Sequence, residues 1–405
     1  VSSVSIRLAC LWVSQTARVV ADWCLRIFVW LELARLGERQ LNSAWYLVTA
    51  VYVTPFILLA PTNGALSNAL RKRGVLVGSA AFCLGAAGLF VTFSEPWPLC
   101  AALFLVAAGM AVYSPTRYAL LPAAAADARI PLSRVMGWNE MGGAAGIVGG
   151  AILGRYLHDT AWNASVPPAV AAALLFSAVA LLAALPVRFA ADASRPESPA
   201  RAVAGFFRDA RHVVADAPAR RSLLGLALLM ALITAGSGAL LGSTLDPKFA
   251  DGKAALLRSM VLVAVGGAAG SWLATLPRNL RRCLALVPFA GTGLLAALAW
   301  ATAVRDPSWP CLLLGMMTGL ANVPLRAFYQ ASVPADARGN GMAVMNTTIF
   351  VSTTLLSGLM FLLTYFRVVG EATAQLRLLI VLTVAATLLA WWALRRMVRE
   401  LVFSV

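Results

Sequence analysis

Charge is what this sequence has least of. Asp, Glu, Lys and Arg make up only 12% of its 405 residues, against about a quarter in an average soluble domain. Apolar residues make up 60% and the mean hydropathy is +0.79. A chain with so little polar surface cannot cover itself against water, which excludes a soluble globular protein and leaves an integral membrane protein. Histidine is nearly absent, with His158 and His212 alone, and the six cysteines are scattered with no Cys-x-x-Cys spacing. Neither a metal centre nor a disulfide framework is expected, and no cofactor. There is no Ser/His/Asp arrangement and no phosphate-cradling glycine loop, so the chain does not read as an enzyme. Lysine is confined to Lys72, Lys248 and Lys253 among 33 basic residues, a bias we assign to genome composition rather than to mechanism. The net charge of +16 lies between apolar runs rather than in a patch, which argues against a nucleic-acid partner.

What is present is a series of long apolar runs. A helix crossing the hydrocarbon needs about 20 apolar residues. That ruler gives twelve spans, at 8–33, 43–61, 74–93, 98–118, 137–157, 166–187, 222–245, 254–276, 283–304, 309–330, 340–366 and 374–398. Most links are short. The stretch 188–221 is longer and divides the spans six and six, giving an N-terminal half over 1–187, a cytoplasmic linker over 188–221 and a C-terminal half over 222–405. Within the linker, Phe206, Phe207, Ala210, Val213 and Val214 recur at helical spacing, as in an amphipathic helix lying on the membrane face. With the N-terminus in the cytoplasm, 22 of the 33 Lys and Arg fall on cytoplasmic ends and loops, nine fall outside, and Arg18 and Arg26 lie within the first span. The positive-inside rule therefore places both termini in the cytoplasm. The first run carries Arg18, Asp22 and Arg26, unlike the uninterrupted core of a signal peptide. The chain begins at Val1 and stops soon after "WWALRRMVRELVFSV", as one domain of a longer protein would.

The segment "PTRYALLPAAAADAR" (115–129) returns as "PLRAFYQASVPADAR" (324–338). Aligned without a gap, the two share Pro115/Pro324, Arg117/Arg326, Ala126/Ala335, Asp127/Asp336, Ala128/Ala337 and Arg129/Arg338. The copies end span 4 and span 10, equivalent places in two six-helix halves of the same orientation. Parallel halves with a substrate site between them near the midplane build the transporters of the major facilitator superfamily. Arg117 and Arg326 are expected at the cytoplasmic ends of their helices, capping the last carbonyls against the negative end of the helix dipole. Asp127, Arg129, Asp336 and Arg338 are expected in loops, as latches. The segment "NGALSNALRKRG" (63–74) between spans 2 and 3 resembles that superfamily's loop signature. Gly64, Arg71, Lys72, Arg73 and Gly74 fit the pattern, whereas Asn68 stands where the pattern has Asp, which weakens the usual charge relay.

The first span is the most unusual. In "ARVVADWCLRIFVW" (17–30), Arg18, Asp22 and Arg26 are four apart and share one helix face. A charge near the bilayer centre costs roughly 2.5–3.5 kcal/mol, so such residues face a cavity or one another and mark a functional path. An internal Arg–Asp–Arg cluster that only fixes packing is the plainer alternative. A carboxylate between two guanidiniums stays ionised, which suits an ammonium or cation partner better than a carried proton, and either arginine can hold a phosphate through two hydrogen bonds. Span 5, "GWNEMGGAAGIVGGAILG" (137–154), offers Asn139 and Glu140. Its Gly142, Gly146, Gly150 and Gly154 stripe reads as a close helix contact. In the second half Asn322, Tyr329, Gln330 and Asn346 are polar groups available either to a head group or as interhelical glue.

At "AVYSPTRYALLP", "GWNEMGG" and "NVPLRAFYQASVPADARGNGMAVMN" the chain resembles the lysophospholipid transporters of bacterial inner membranes, a branch of the major facilitator superfamily that includes versions fused to acyltransferase and acyl-ligase domains. The "ADW-x-x-R" stretch of span 1 is similar to that family's polar first helix. The resemblance implies an alternating-access flippase in the bacterial inner membrane, moving lysophospholipid such as lysophosphatidylethanolamine from the outer to the inner leaflet for reacylation. It implies Asp22 or Glu140 for an ammonium, Arg18 or Arg26 for the phosphate, and apolar walls for the acyl chain. The partners implied are the bilayer, an acyltransferase or acyl-ligase and a coupling cation. Export of amphiphilic drugs, transport of a small polar metabolite, and a membrane scaffold for acyltransferase domains are the alternatives.

Overall fold

The computed structural model describes residues 3–35, 41–158, 166–189, 199–244, 252–277, 279–304, 308–365 and short stretches of 377–388. Among these the chain is helical, with no strand. The helices are α1 (Ser3–Arg35), α2 (Leu41–Leu58), α3 (Ala60–Ala69), α4 (Lys72–Gly88), α5 (Pro96–Ala128), α6 (Leu132–His158), α7 (Pro168–Ala184), α8 (Pro199–Ala215), α9 (Ala217–Thr244), α10 (Gly252–Leu273), α11 (Leu280–Leu284), α12 (Leu286–Ala303), α13 (Ser308–Ser332) and α14 (Arg338–Tyr365). Most of the last expected span, 374–398, lies outside the described residues.

Among the described residues five helices are long and apolar enough to cross a membrane. Leu47–Leu58 and Ala60–Ala69 pass the same test only as a pair bent by 53° at the break, the form of a broken span or a re-entrant loop. The stretch 63–69, expected as a loop, is thus helical and follows α2 beyond the bend. Helix α1 is continuous and long enough to span, but its apolar run is broken by Arg18, Asp22 and Arg26, all of them buried.

Two compact units are present. The first comprises Val1–Ile130, Ala145–His212 and Val333–Thr347. There α1 packs on α7 and α5, and α4 on α5 and α7. The second comprises Pro131–Ala144, Val213–Ser332 and Thr348–Val405, with α13 at its centre against α9, α10 and α12. Helices α6 and α14 each contribute one end to either unit.

Small residues permit the tightest contacts. A Cβ on Gly150 would run into the Val20 carbonyl and Trp23 of α1, and one on Gly154 would meet Cys24 and Ile27. The glycine stripe of span 5 is therefore a contact face, as such stripes are between membrane helices. In the second unit Gly315 and Gly319 of α13 meet the backbone of α10 at Val263 and Gly267 in the same way.

The two copies of the repeat differ in how they end. Helix α5 runs to Ala128 and stops with Arg129 in the left-handed region at φ 53°. There Ile130 N–H donates to Ala125 O and Arg129 N–H to Ala126 O, both at 3.1 Å, the double bond of a Schellman cap. In the second copy Pro334 replaces Ala125. Proline lacks the N–H and pushes its predecessor out of the helical region, so α13 stops at Ser332 and a turn closed by Ala337 N–H on Pro334 O leads into α14.

Candidate functional site

In the first unit the side chains of span 1 gather a polar cluster. Arg18, Asp22 and Arg26 are 0%, 2% and 8% exposed, so the expected charged face of α1 is turned into protein. Tyr52 of α2 donates its hydroxyl to the Asp22 carboxylate, and both guanidiniums act on that carboxylate electrostatically. The Arg26 guanidinium lies 4.2 Å from the Tyr52 ring centre and 4.5 Å from that of Trp23. A desolvated cation against aromatic faces gains about 2 kcal/mol per contact. Arg18 donates from Nη1 to Ser177 Oγ of α7 at 3.0 Å, while its Nε and Nη2 make no hydrogen bond. Beside them Ser14 Oγ pairs with Tyr113 OH at 2.9 Å and donates to Ala180 O.

A second polar chain lies in the second unit. Asn139 Nδ2 donates to Glu140 Oε1 at 3.2 Å, Asn322 Nδ2 donates to Glu140 Oε2 at 2.8 Å, and Arg326 Nε donates to Asn322 Oδ1 at 2.8 Å. Glu140, from the first half of the sequence, is thereby joined to two residues of α13. Tyr329 and Gln330 follow on α13, fully buried. Asn346 belongs to the first unit, where it donates to Ser114 Oγ at 3.0 Å.

The repeated arginines correct one expectation. Arg117 and Arg326 are buried well inside α5 and α13, away from the helix ends. Each instead engages the residue four positions earlier: Arg326 bonds Asn322, and Arg117 lies 6.0 Å from the Tyr113 ring and 4.3 Å from that of Tyr118. Asp127 sits on the last turn of α5, Arg129 and Asp336 in the exposed turns that follow the two helices, and Arg338 on the first residue of α14. Asn68 Oδ1 accepts Gly339 N–H at the start of α14 at 2.7 Å. The neighbouring Asn340 Nδ2 donates to Asp209 Oδ2 of the linker helix α8 at 2.6 Å, and Gly64 leaves room for Asn340 and Phe206. Arg73 donates from Nε to Leu185 O at 2.8 Å, and Arg71 is exposed.

Sequence reasoning missed Tyr52, Tyr113, Ser14 and Ser177. A lone aromatic or hydroxyl in an apolar helix carries no periodic signal. Tyr113 alone had one, four residues before Arg117.

The model of the Major Facilitator Superfamily matches residues 12–357. The chain belongs to that superfamily. It is therefore a transporter and a multi-pass membrane protein, with twelve helices in two halves. It is 28% identical over 305 residues to the lysophospholipid transporter LplT of Pectobacterium carotovorum subsp. carotovorum (strain PC1), covering 73% of this chain and 72% of that one. It is 27% identical over 318 residues to LplT of Serratia proteamaculans (strain 568), covering 77% and 78%. Its fold matches the crystal structure of the human organic anion transporter MFSD10 (TETRAN), with a TM-score of 0.74 at 16% identity, over 96% of this chain and all of that one.

Proposed function

We propose that the chain carries lysophospholipids, such as lysophosphatidylethanolamine, from the outer to the inner leaflet of a bacterial inner membrane by alternating access, with both termini in the cytoplasm. The observation that carries this reading is the similarity to lysophospholipid transporters along about three quarters of both chains. The buried Arg18–Asp22–Arg26 face supports it, because an anion–cation pair inside an apolar bundle complements a zwitterionic head group while lipid-like walls suit one acyl chain. Glu140 offers a second carboxylate, and Asn139, Tyr329, Gln330 and Asn346 offer uncharged polar contacts. The gating assignment of Gly64, Asn68, Arg71, Arg73, Arg117, Asp127, Arg129, Arg326, Asp336 and Arg338 belongs to the same proposal, as do the two halves 1–187 and 222–405 flanking the linker 188–221. Reacylation in the inner leaflet requires an acyltransferase or acyl-ligase as partner or fused neighbour, and a cation gradient is the driving force to test.

The deciding experiment is uptake of fluorescent lysophosphatidylethanolamine into the inner leaflet of proteoliposomes, for wild type and Asp22→Asn, with and without ion gradients. Flipping by wild type that Asp22→Asn abolishes, in a variant of unchanged melting temperature, supports lipid transport through Asp22. No flipping by folded wild type under any gradient overturns it. A scaffold for acyltransferase domains tolerates Asp22→Asn.

A further inference from the structure

Four residues separate Arg18 from Asp22 and Asp22 from Arg26, so sequence spacing treats the two arginines as equals. Their surroundings differ. The Arg26 guanidinium carbon lies over the Trp23 and Tyr52 rings, 4.5 and 4.2 Å from their centres, and one of its N–H groups, Nε, is buried without a hydrogen bond. Those rings hold the guanidinium between α1 and α2, in the cradle whose tyrosine hydroxyl serves Asp22. Arg18 is held by one corner only, through Nη1 on Ser177 Oγ at 3.0 Å. Its Nε and Nη2, the two N–H groups that lie parallel along one edge, are buried and make no hydrogen bond. That edge is the one that grips a carboxylate or phosphate through two parallel bonds. The Asp22 Oδ1 atom, one helical turn away, is likewise buried and without a hydrogen bond.

Unsatisfied charged donors inside a protein are costly, and more so in a low-dielectric interior. Electrostatic attraction from Asp22 offsets part of this but uses neither N–H of the edge. Ser177 fixes the rotation of the guanidinium, so the edge keeps one direction rather than sweeping a cone.

We propose that Arg18, oriented by Ser177, is the phosphodiester-binding residue of this transporter, with Asp22 Oδ1 receiving the cationic end of the same head group, and that Arg26 is a positioning residue that holds Asp22 in place. This rests on the lipid-transport reading for the source of the phosphodiester, but the chemistry of the edge is the same for a free phosphodiester. A lysine at position 18 keeps the charge and loses the two-pronged grip. A lysine at position 26 keeps the charge and most of the effect on Asp22.

The test is ligand-induced stabilisation of purified full-length protein in maltoside detergent, titrating three probes: lysophosphatidylethanolamine, glycerophosphoethanolamine without an acyl chain, and monoacylglycerol without a phosphate. In wild type, lysophosphatidylethanolamine is expected to bind most tightly. Arg18→Lys is expected to weaken it about tenfold or more while leaving monoacylglycerol within about twofold, and Arg26→Lys to weaken it by less than about threefold. Ser177→Ala, which leaves Arg18 intact, is expected to weaken only the phosphate-bearing probes, by about threefold. It carries the test where Arg18→Lys does not fold. Equal losses for the phosphate-bearing and phosphate-free lipids, or unchanged affinity in Arg18→Lys and Ser177→Ala, overturn the assignment. Binding of glycerophosphoethanolamine that depends on Arg18, with no binding of either acylated probe, keeps the anion site and instead removes the lipid reading.

Discussion

Asn68 Oδ1 accepts the backbone N–H of Gly339 at 2.7 Å, tying the end of α3 to the first turn of α14. The first N–H groups of a helix have no partner within it and carry its positive end. An amide oxygen can serve them as an aspartate does, without a full charge. Asn68, which stands where the superfamily's pattern has Asp, supplies this acceptor, and Asp209 of the linker helix accepts from the neighbouring Asn340.

Asn68→Ala removes an acceptor at a helix N-terminus, a change worth about 1 kcal/mol. The expected result is a melting temperature lower by a few degrees and faster proteolytic nicking near residue 339, with Asn68→Asp at least as stable as wild type. Limited proteolysis and thermal unfolding check it. Equal nicking in all three proteins removes the contact from the list of stabilising ones.

Tyr52→Phe keeps the ring against Arg26 and deletes the hydroxyl that serves Asp22. A buried carboxylate that loses a donor is left about 1–3 kcal/mol worse off. The variant should fold, with a reduced maximal transport rate and a modest loss of stability. Tyr52→Leu, which also removes the aromatic face, should lose more of both. Transport rates normalised to folded protein separate the two contributions.

Glu140 accepts from Asn139 and Asn322, so Glu140→Gln sets an amide NH2 against at least one donor. A loss of about 1–2 kcal/mol is expected. Pairing it with Asn322→Asp restores complementarity, since the new amide donates to the new carboxylate and that carboxylate remains beside Arg326. The double variant should therefore be more stable than the Glu140→Gln single variant. Strict additivity in thermal unfolding would sink this account of the chain.

Gly150→Leu places a side chain where the backbone of α1 already lies, at Val20 and Cys24. Overpacking of this kind costs about 1–3 kcal/mol or more, so the yield of folded, monodisperse protein should fall sharply. Gly85→Leu is the control, because a Cβ there meets nothing within 4 Å. Size-exclusion profiles of the two variants give the comparison.

The membrane class was legible in composition, because a chain with 12% charged residues has no other solvent than lipid. The charged face of α1 was legible in the four-residue spacing, since helical geometry alone puts Arg18, Asp22 and Arg26 on one side. The repeat at 115–129 and 324–338 exposed the paired arginines Arg117 and Arg326 on α5 and α13, and the glycine stripe of α6 exposed a contact face. Each of these is a local or periodic property of the chain.

Tertiary structure decided which atom meets which. Spacing could not separate Arg18 from Arg26, because the difference between them comes from Ser177 on α7 and Tyr52 on α2, far away in sequence. Nor could it join Glu140 to Asn322 across 182 residues, or set Asn68 Oδ1 on the N–H of Gly339. Hydrogen bonds are short and directional, so their partners are fixed only once packing has set the helices in register. Sequence periodicity says which face of a helix is polar, and packing says what that face holds.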